Sequence, residues 1–320
     1  MGIVKTDLVA QFGSVYINEG QNMDRLKTLL RQIAVTPGYA VPIITENDTY
    51  KFSNVIFTEL VQAFQKKFTP KGSAEFKPNK IDLFNIKIDS ELWPDDVKGS
   101  YLGFLQNIKE QDRAQWPIVR WYLEEYLLKN RAHDMETKAY WGGSYLAPTD
   151  GVAGTTAGSM DGLKKKIDTG LAETDVTKKM QAVTLSAPIT ASNAFDAIEE
   201  FSDAIDDLLK TVPGTIYMSA TILKWYLRDK RNTHGTDINY DAEKLTIDFS
   251  ETVKLKSLPS MAGSPYIWYT VDENYGYLRK FNGMSEPEIQ KDGRLVKFLC
   301  DWWEGLGFGY NPLVYVYKPA

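Results

Sequence analysis

The chain has 320 residues, 37 Lys and Arg against 42 Asp and Glu for a formal charge of −5, and 43% hydrophobic residues. This length and balance support one or two folded domains and exclude a largely disordered chain. A single cysteine, Cys300, excludes a disulfide framework and a thiolate metal cluster, and no apolar run approaches the roughly 20 residues of a membrane span.

The N-terminus carries Lys5 where a signal peptide would continue its apolar core, which reads against secretion. Gly2 and Thr6 meet the loose myristoylation pattern, which is short and often met by chance. From Met23 to Ala34, the residues Met23, Leu26, Leu29, Leu30 and Ile33 fall at three-to-four spacing and predict one amphipathic helix. Thr36-Pro37-Gly38 stops it. A segment too small to own a core must dock elsewhere, so Leu26 and Leu30 are candidate subunit contacts.

Residues 39–92 read as extended. Leu60, Val61, Phe64 and Phe68 fit a helix, while Leu60, Phe64 and Phe68 also fit one face of a strand. Thr69-Pro70-Lys71-Gly72 is turn chemistry. The reading adopted is a long hairpin with its tip at Pro70–Gly72, and Phe68, Pro70, Lys71 and Gly72 are candidate subunit contacts. Ile81 and Leu83 alternate, and Ile86 and Ile88 alternate one step out of phase. That slip predicts a β-bulge near Phe84-Asn85.

Pro117 opens the strongest helical pattern, 117–140, with Ile118, Tyr122, Leu123, Tyr126 and Leu127 in a stripe and Trp121, Leu128 and Met135 every seventh residue. Gly142-Gly143 ends it. At about 1.5 Å per residue the helix is roughly 36 Å long, a spine. Residues 143–163 form a Gly-rich loop. A second helix places Ala194, Ala197, Ile198, Phe201, Ile205 and Leu208 on one face and Asp196, Glu199, Glu200, Asp203, Asp206 and Asp207 on the other. Thr215–Met218 reads as a strand, and Ser219 caps a third helix closing at Thr233-His234-Gly235. Strands follow at Tyr266–Val271, Tyr277–Phe281, Arg294–Trp303 and Leu313–Tyr317. Helices and strands segregate, so the class is α+β.

No residue set rises to a catalytic, cofactor-binding or metal site. His133 and His234 are far apart in the chain, and a zinc site would need carboxylates to complete it. Gly151–Gly162 lacks a following Gly-Lys-Ser/Thr, and Gly305-Leu306-Gly307-Phe308-Gly309 does not join a strand to a helix; a surface loop and a glycine-bent strand are the readings. The acidic face of 194–209 reads as a solvated helix face. Asp301-Trp302-Trp303-Glu304 is the most enzyme-like cluster, since paired carboxylates serve glycoside hydrolysis. Strand alternation sends its two carboxylates to opposite faces, so they read as packing. The 8 Trp, 18 Tyr and 14 Phe fill cores and interfaces or stack on ligands such as sugars. A mildly acidic chain without a long Lys/Arg run speaks against a dedicated nucleic-acid surface.

Several short motifs, taken in order, resemble tailed-phage major capsid proteins of the Hong Kong 97 type. Trp116-Pro117-Ile118-Val119-Arg120 through Glu136, Tyr140, Trp141 and Gly142-Gly143 is similar to the family's spine helix and glycine exit. Ser159-Met160-Asp161-Gly162-Leu163 resembles the segment that follows. Ile216-Tyr217-Met218-Ser219 with Leu227-Arg228-Asp229 and Gly235 resembles the axial strand and helix, and Leu258-Pro259-Ser260-Met261 the turn before a strand. Arg294-Leu295-Val296-Lys297-Phe298 to Gly307-Phe308 and Pro312-Leu313-Val314 resemble the closing peripheral strands. Lys87-Ile88-Asp89 and Asp301-Trp302-Trp303 resemble the capsid proteins of phages infecting gut Bacteroidetes.

The resemblance implies that fold, with an N-terminal arm (1–36), an extended-loop region (37–92), a peripheral domain with spine helix (93–187), an axial domain (188–275) and peripheral return strands (276–320). It implies a non-enzymatic structural protein without cofactor or metal, assembled in the host cytoplasm into the virion capsid. Its partners would be copies of itself in pentamers and hexamers, scaffolding, portal and decoration proteins, and packaged DNA bound without sequence specificity; no membrane is implied. An arm of about 36 residues is short for a scaffolding segment, and no motif assigns a Lys–Asn crosslink. Encapsulin-like compartments are the nearest alternative, and a carbohydrate-binding or carbohydrate-active module is one from another class.

Overall fold

Alternation and turn chemistry dominate the first described stretch. The computed structural model describes residues 35–106, 109–234, 245–247, 250, 252–284 and 288–319; Leu26 and Leu30 lie outside them. After a helical turn at Val35–Gly38 come β1 (Val41–Thr45), β2 (Thr49–Phe52), β3 (Val55–Phe57), β4 (Ala74–Phe76), β5 (Asn79–Asp82) and β6 (Phe84–Leu92). Pairing of β2 with β5 and of β3 with β4, both antiparallel, makes one long interrupted hairpin.

Its tip is not at Pro70–Gly72. Residues 58–73 form neither helix nor strand. Inside this loop the Gln62 side chain donates to Thr69 O at 2.7 Å, and Lys71 Nζ donates to Val61 O at 2.8 Å. The tip therefore lies between Gln62 and Thr69, and Pro70–Gly72 descends from it. The turn chemistry itself is real, because Gly72 adopts φ +85°.

The expected bulge is a change of partner. Leu83 and Ile86 are both buried and mark the phase slip. β5 pairs with β2, whereas β6 runs in unbroken register against a later strand, from Phe84 opposite Glu304 to Leu92 opposite Val296. The chain leaves one ribbon and enters a sheet at Leu83.

Helix α1 (Pro94–Gln106) leads to the spine, α2, at 118–139. Pro117 precedes it in extended conformation instead of occupying the first turn. Two single π turns, Leu123–Leu127 and Met135–Ala139, interrupt the α geometry. The heptad set Trp121, Leu128 and Met135 is buried, as the spacing predicts, while Tyr126 is exposed.

The glycine exit depends on close backbone approach. Gly162 N donates to Gly143 O at 2.9 Å. A methyl group at Gly162 would lie 2.5 Å from Trp141 O and 2.6 Å from Ala139 O, both fixed backbone atoms. Gly162→Ala is therefore expected to cost about 3 kcal/mol in chemical unfolding. Gly154→Ala, with nothing within 4 Å, should be close to neutral, and equal effects would show that the approach is unimportant.

Then follow α3 (Leu163–Ala172), β7 (Gln181–Val183), α4 (Ala194–Asp203), β8 (Gly214–Met218), α5 (Ala220–His234), β9 (Val253–Ser257), β10 (Ile267–Val271), β11 (Tyr275–Met284), β12 (Glu288–Asp292), β13 (Leu295–Phe308) and β14 (Tyr315–Tyr317). Ile222 N donates to Ser219 Oγ at 3.4 Å, the expected cap of α5. α4 ends sooner than its apolar spacing predicts. Ile205 is still buried, but Leu208 is 77% exposed.

One five-stranded sheet runs β1-β11-β13-β12, with β6 on the other side of β13; a second runs β7-β14-β10-β8-β9. Alternation along the second sheet divides two cores. Tyr217, Trp268 and Val316 face the larger core, shared with α2 and the first sheet. Ile216, Ile267 and Tyr269 face the smaller one under α4 and α5. Tyr217 stacks on Trp268 at 4.2 Å between ring centroids, and Tyr275 and Phe308 meet Trp268 edge-on at 5.5 and 5.4 Å. All four rings are buried. They act as core rather than as a platform for stacking sugars.

Candidate functional site

The sites a catalytic reading would use are filled by packing. Trp302 and Glu304 point inward together, as alternation requires, with Asp301 and Trp303 on the other face. Glu304 is fully buried. It accepts from the Tyr277 hydroxyl at 2.7 Å and faces Arg131 Nη2 at 3.9 Å, and that guanidinium lies 4.2 Å above the Trp302 ring. Burial, then the Glu304 charge, pushes the Tyr277 and Tyr140 phenols well upward. The phenols therefore remain neutral, and the cluster pins α2 to β11 and β13. Burial also pushes the Cys300 thiol up to about 11, so it is a poor nucleophile at neutral pH.

Among the described residues no group of three or more His, Cys, Asp or Glu gathers to hold a metal, and no helix is long and apolar enough to cross a membrane. His133 is exposed, and Gly151 and Gly154 lie in an exposed loop. Gly305 and Gly307 lie within β13, where Ile81 and Asp82 cross it closely.

The chemistry the surface does offer is apolar, and it is concentrated on the hairpin. Every residue from 57 to 76 is exposed. The register sets Val55 opposite Phe76 and Phe57 opposite Ala74, so one face of the ribbon is wholly apolar. Phe57 is 60% and Phe76 70% exposed, and beyond them Val61, Phe64 and Phe68 reach 83%, 92% and 90%. Of the sequence-derived candidates, Phe68, Pro70, Lys71 and Gly72 all lie on this arm. Phe68 is an unsupported side chain, while Lys71 is held locally by Glu59 at 3.0 Å. The sequence reading missed Phe57 and Phe76, because three-residue strands are too short to show alternation.

The base of the arm is fastened to the body. Lys77 N donates to Asn54 O at 2.8 Å, and Lys77 Nζ pairs with Asp175 at 3.0 Å. The Thr177 hydroxyl, followed by Lys77 and the Thr177 N–H, holds the Asp175 carboxyl down to about 2. The Asp175 bond holds the Lys77 ammonium above its ordinary value. A depressed carboxyl contributes above its unfolded value of about 3.9 and loses that contribution as pH falls through about 2; the raised lysine loses its own only in strong alkali. Asp175→Asn is expected to speed hydrogen exchange at the Lys77 amide several-fold at neutral pH. It should leave the rate, corrected for intrinsic exchange, insensitive to pH between 4 and 2. Wild-type rates in the variant would remove the tether.

No protein-family model and no curated protein matches this sequence. Solved structures do match it across nearly its whole length. A chain of the capsid of the native GTA particle, computed with C5 symmetry, aligns with TM-score 0.58 at 11% identity, covering 91% of each chain. A chain of the capsid of Myoviridae phage XM1 gives 0.53 at 14% identity over 91% of this chain and 94% of that one. One from the satellite phage P4 procapsid, a structure that includes the size determination (Sid) protein, gives 0.53 at 10% identity over 92% and 97%. The fold is the α+β fold of phage capsid chains.

Proposed function

We propose that this protein is the major capsid protein of a tailed phage, a structural subunit that assembles with copies of itself into an icosahedral head around double-stranded DNA. The observation that carries this reading is the hairpin, with an apolar face that the described residues leave exposed, on a fold that capsid chains match over about nine-tenths of this chain. A hairpin of this kind gains stability by lying on a neighbour. A closed symmetric shell offers every copy the same neighbouring surface. The arm, extended-loop, peripheral and axial boundaries given above are our assignment for this chain. So are a non-enzymatic role, pentamers and hexamers, scaffolding, portal and decoration partners, and DNA held without sequence specificity. The likeness of Lys87–Asp89 and Asp301–Trp303 to gut Bacteroidetes phages supports that host class.

The test is expression of the full chain followed by sedimentation and negative-stain microscopy. Hollow shells or capsomer rings are the expected result, and a monomer at all concentrations would overturn the reading. Particles that load a fused protein cargo and exclude DNA would favour an encapsulin-like compartment. Deleting residues 1–34 should leave the body folded, because Thr36 and its partners remain, yet abolish closed shells. Unchanged melting with normal shells would make the arm dispensable. Loss of folding would make it part of the core.

A further inference from the structure

A second surface carries two matching halves. The outer face of α5 forms a groove of about 310 Å³ lined by Ala220, Leu223, Lys224, Leu227, Arg228 and Arg231. Its floor is the half-buried Leu223 and Leu227. Its rim is Lys224, Arg228 and Arg231, all exposed and spaced to share one helix face. None of the three makes an ion pair among the described residues.

The complementary shape lies just beyond α4. Leu208 is 77% exposed and is held out on a defined turn. Its N–H donates to Asp206 Oδ1 at 2.9 Å, and its carbonyl accepts from the Thr211 hydroxyl at 2.7 Å. Asp206 and Asp207 precede it directly in the chain and Asp203 closes α4 shortly before; all three are exposed, and Asp207 pairs with Lys210 at 3.1 Å. A single exposed leucine is ordinary. This one is an apolar knob in an acidic collar, and the same chain carries an apolar groove in a basic collar. A cavity of roughly 150 Å³ already admits a benzene-sized group, so the groove has room for a leucine side chain.

We propose that Leu208 and its aspartates dock into the α5 groove of a second copy of this chain, forming a heterologous, head-to-tail contact. Such a contact closes into a ring when the rotation between copies closes. The proposal rests on the shell reading above and names a contact within it. The partner is a second copy because both the charge and the shape of the occupant are present on this chain. Opposite charges at the rim set the register and disfavour the like-charged pairings of groove with groove and knob with knob.

The experiment is charge reversal with restoration. One variant carries Asp203→Lys and Asp207→Lys, a second carries Lys224→Glu and Arg228→Glu, and a third carries all four. Particle yield by sedimentation and microscopy is compared with wild type. Thermal melting, which substitutions at exposed positions should barely move, checks the fold. Each reversed pair is expected to lower yield at least tenfold, and the fourfold variant to recover most of it. Leu208→Ser should lower yield without altering the melt. Should a reversed chain fail to fold, Lys224→Gln with Arg228→Gln gives the same readout, again with lowered yield expected. Wild-type yields in the reversed variants, or a fourfold variant as defective as its parents, would overturn the contact while leaving the shell reading intact. A wild-type chain that forms no particles would instead remove the shell reading, and this contact with it.

Discussion

Replacing Glu136 by alanine is expected to destabilise the folded chain by about 3–5 kcal/mol. Its carboxylate is buried in the second π turn of α2. One oxygen accepts from Thr36 N at 3.1 Å; the other accepts from the Thr36 hydroxyl at 2.5 Å and from Ser260 N at 3.2 Å. The Thr36 hydroxyl also lies 2.7 Å from Ser260 Oγ, and the Tyr275 hydroxyl donates to Thr36 O at 3.3 Å. Truncation leaves the Thr36 and Ser260 N–H groups unpaired in a buried site, each costing about 1–3 kcal/mol before relaxation, while the Thr36 hydroxyl keeps Ser260 Oγ as a partner. Glu136→Gln keeps one acceptor and should lose about half as much. The comparison is made by chemical unfolding of wild type and both variants. A loss below about 1 kcal/mol in Glu136→Ala would mean that the carboxylate does not bind these elements together. This clamp fixes the point at which residues 1–34 join the body, so it links the stability of the spine to the placement of the arm's root.

How much of this was legible in the sequence depended on the range of the interaction. The α2 stripe, the Ser219 cap and the glycine exit were readable, because helical periodicity and capping are local and strong. Leu208 departs from the apolar face its spacing predicts for a physical reason. Apolar spacing continues past Asp203, but the helix does not, because the turn closed by Asp206 diverts the chain. The phase slip at Leu83–Ile86 was visible, yet its cause was not. Whether a slip is a bulge or a change of sheet depends on pairing with Trp302 and its neighbours, more than two hundred residues away. Glu136 had no local signal, since its partners are 100 and 124 residues distant. For the hairpin, the residue types were readable but their exposure was not. A run of Phe and Val ordinarily indicates a core, and only the three-dimensional arrangement leaves Phe64 and Phe68 without one.

That exposure sets up the largest functional effect. Replacing residues 60–71 with a short Gly-Ser turn is expected to leave the body's melting unchanged and to abolish particles. The body should be indifferent, because residues 57–76 contribute to none of the cores formed among the described residues. The β3–β4 pairing that carries the loop also ends before it, at Phe57 and Ala74. Assembly should not be indifferent. Phe57, Leu60, Val61, Phe64, Phe68 and Phe76 are all at least half exposed. Burying each on a neighbour is worth about 1.5–3 kcal/mol, so the arm supplies roughly 9–18 kcal/mol before costs. Association costs about 4–15 kcal/mol in lost freedom, so removing most of the arm's share carries the balance past zero. The graded version of the test is Phe64→Ser with Phe68→Ser, which keeps the loop's length and removes its two most exposed rings. It should raise the concentration needed for assembly by more than tenfold, measured by light scattering against protein concentration, without altering the melt. An unchanged threshold in both variants would show that the arm does not hold neighbouring copies together. A lowered melting temperature would show that it belongs to the body after all.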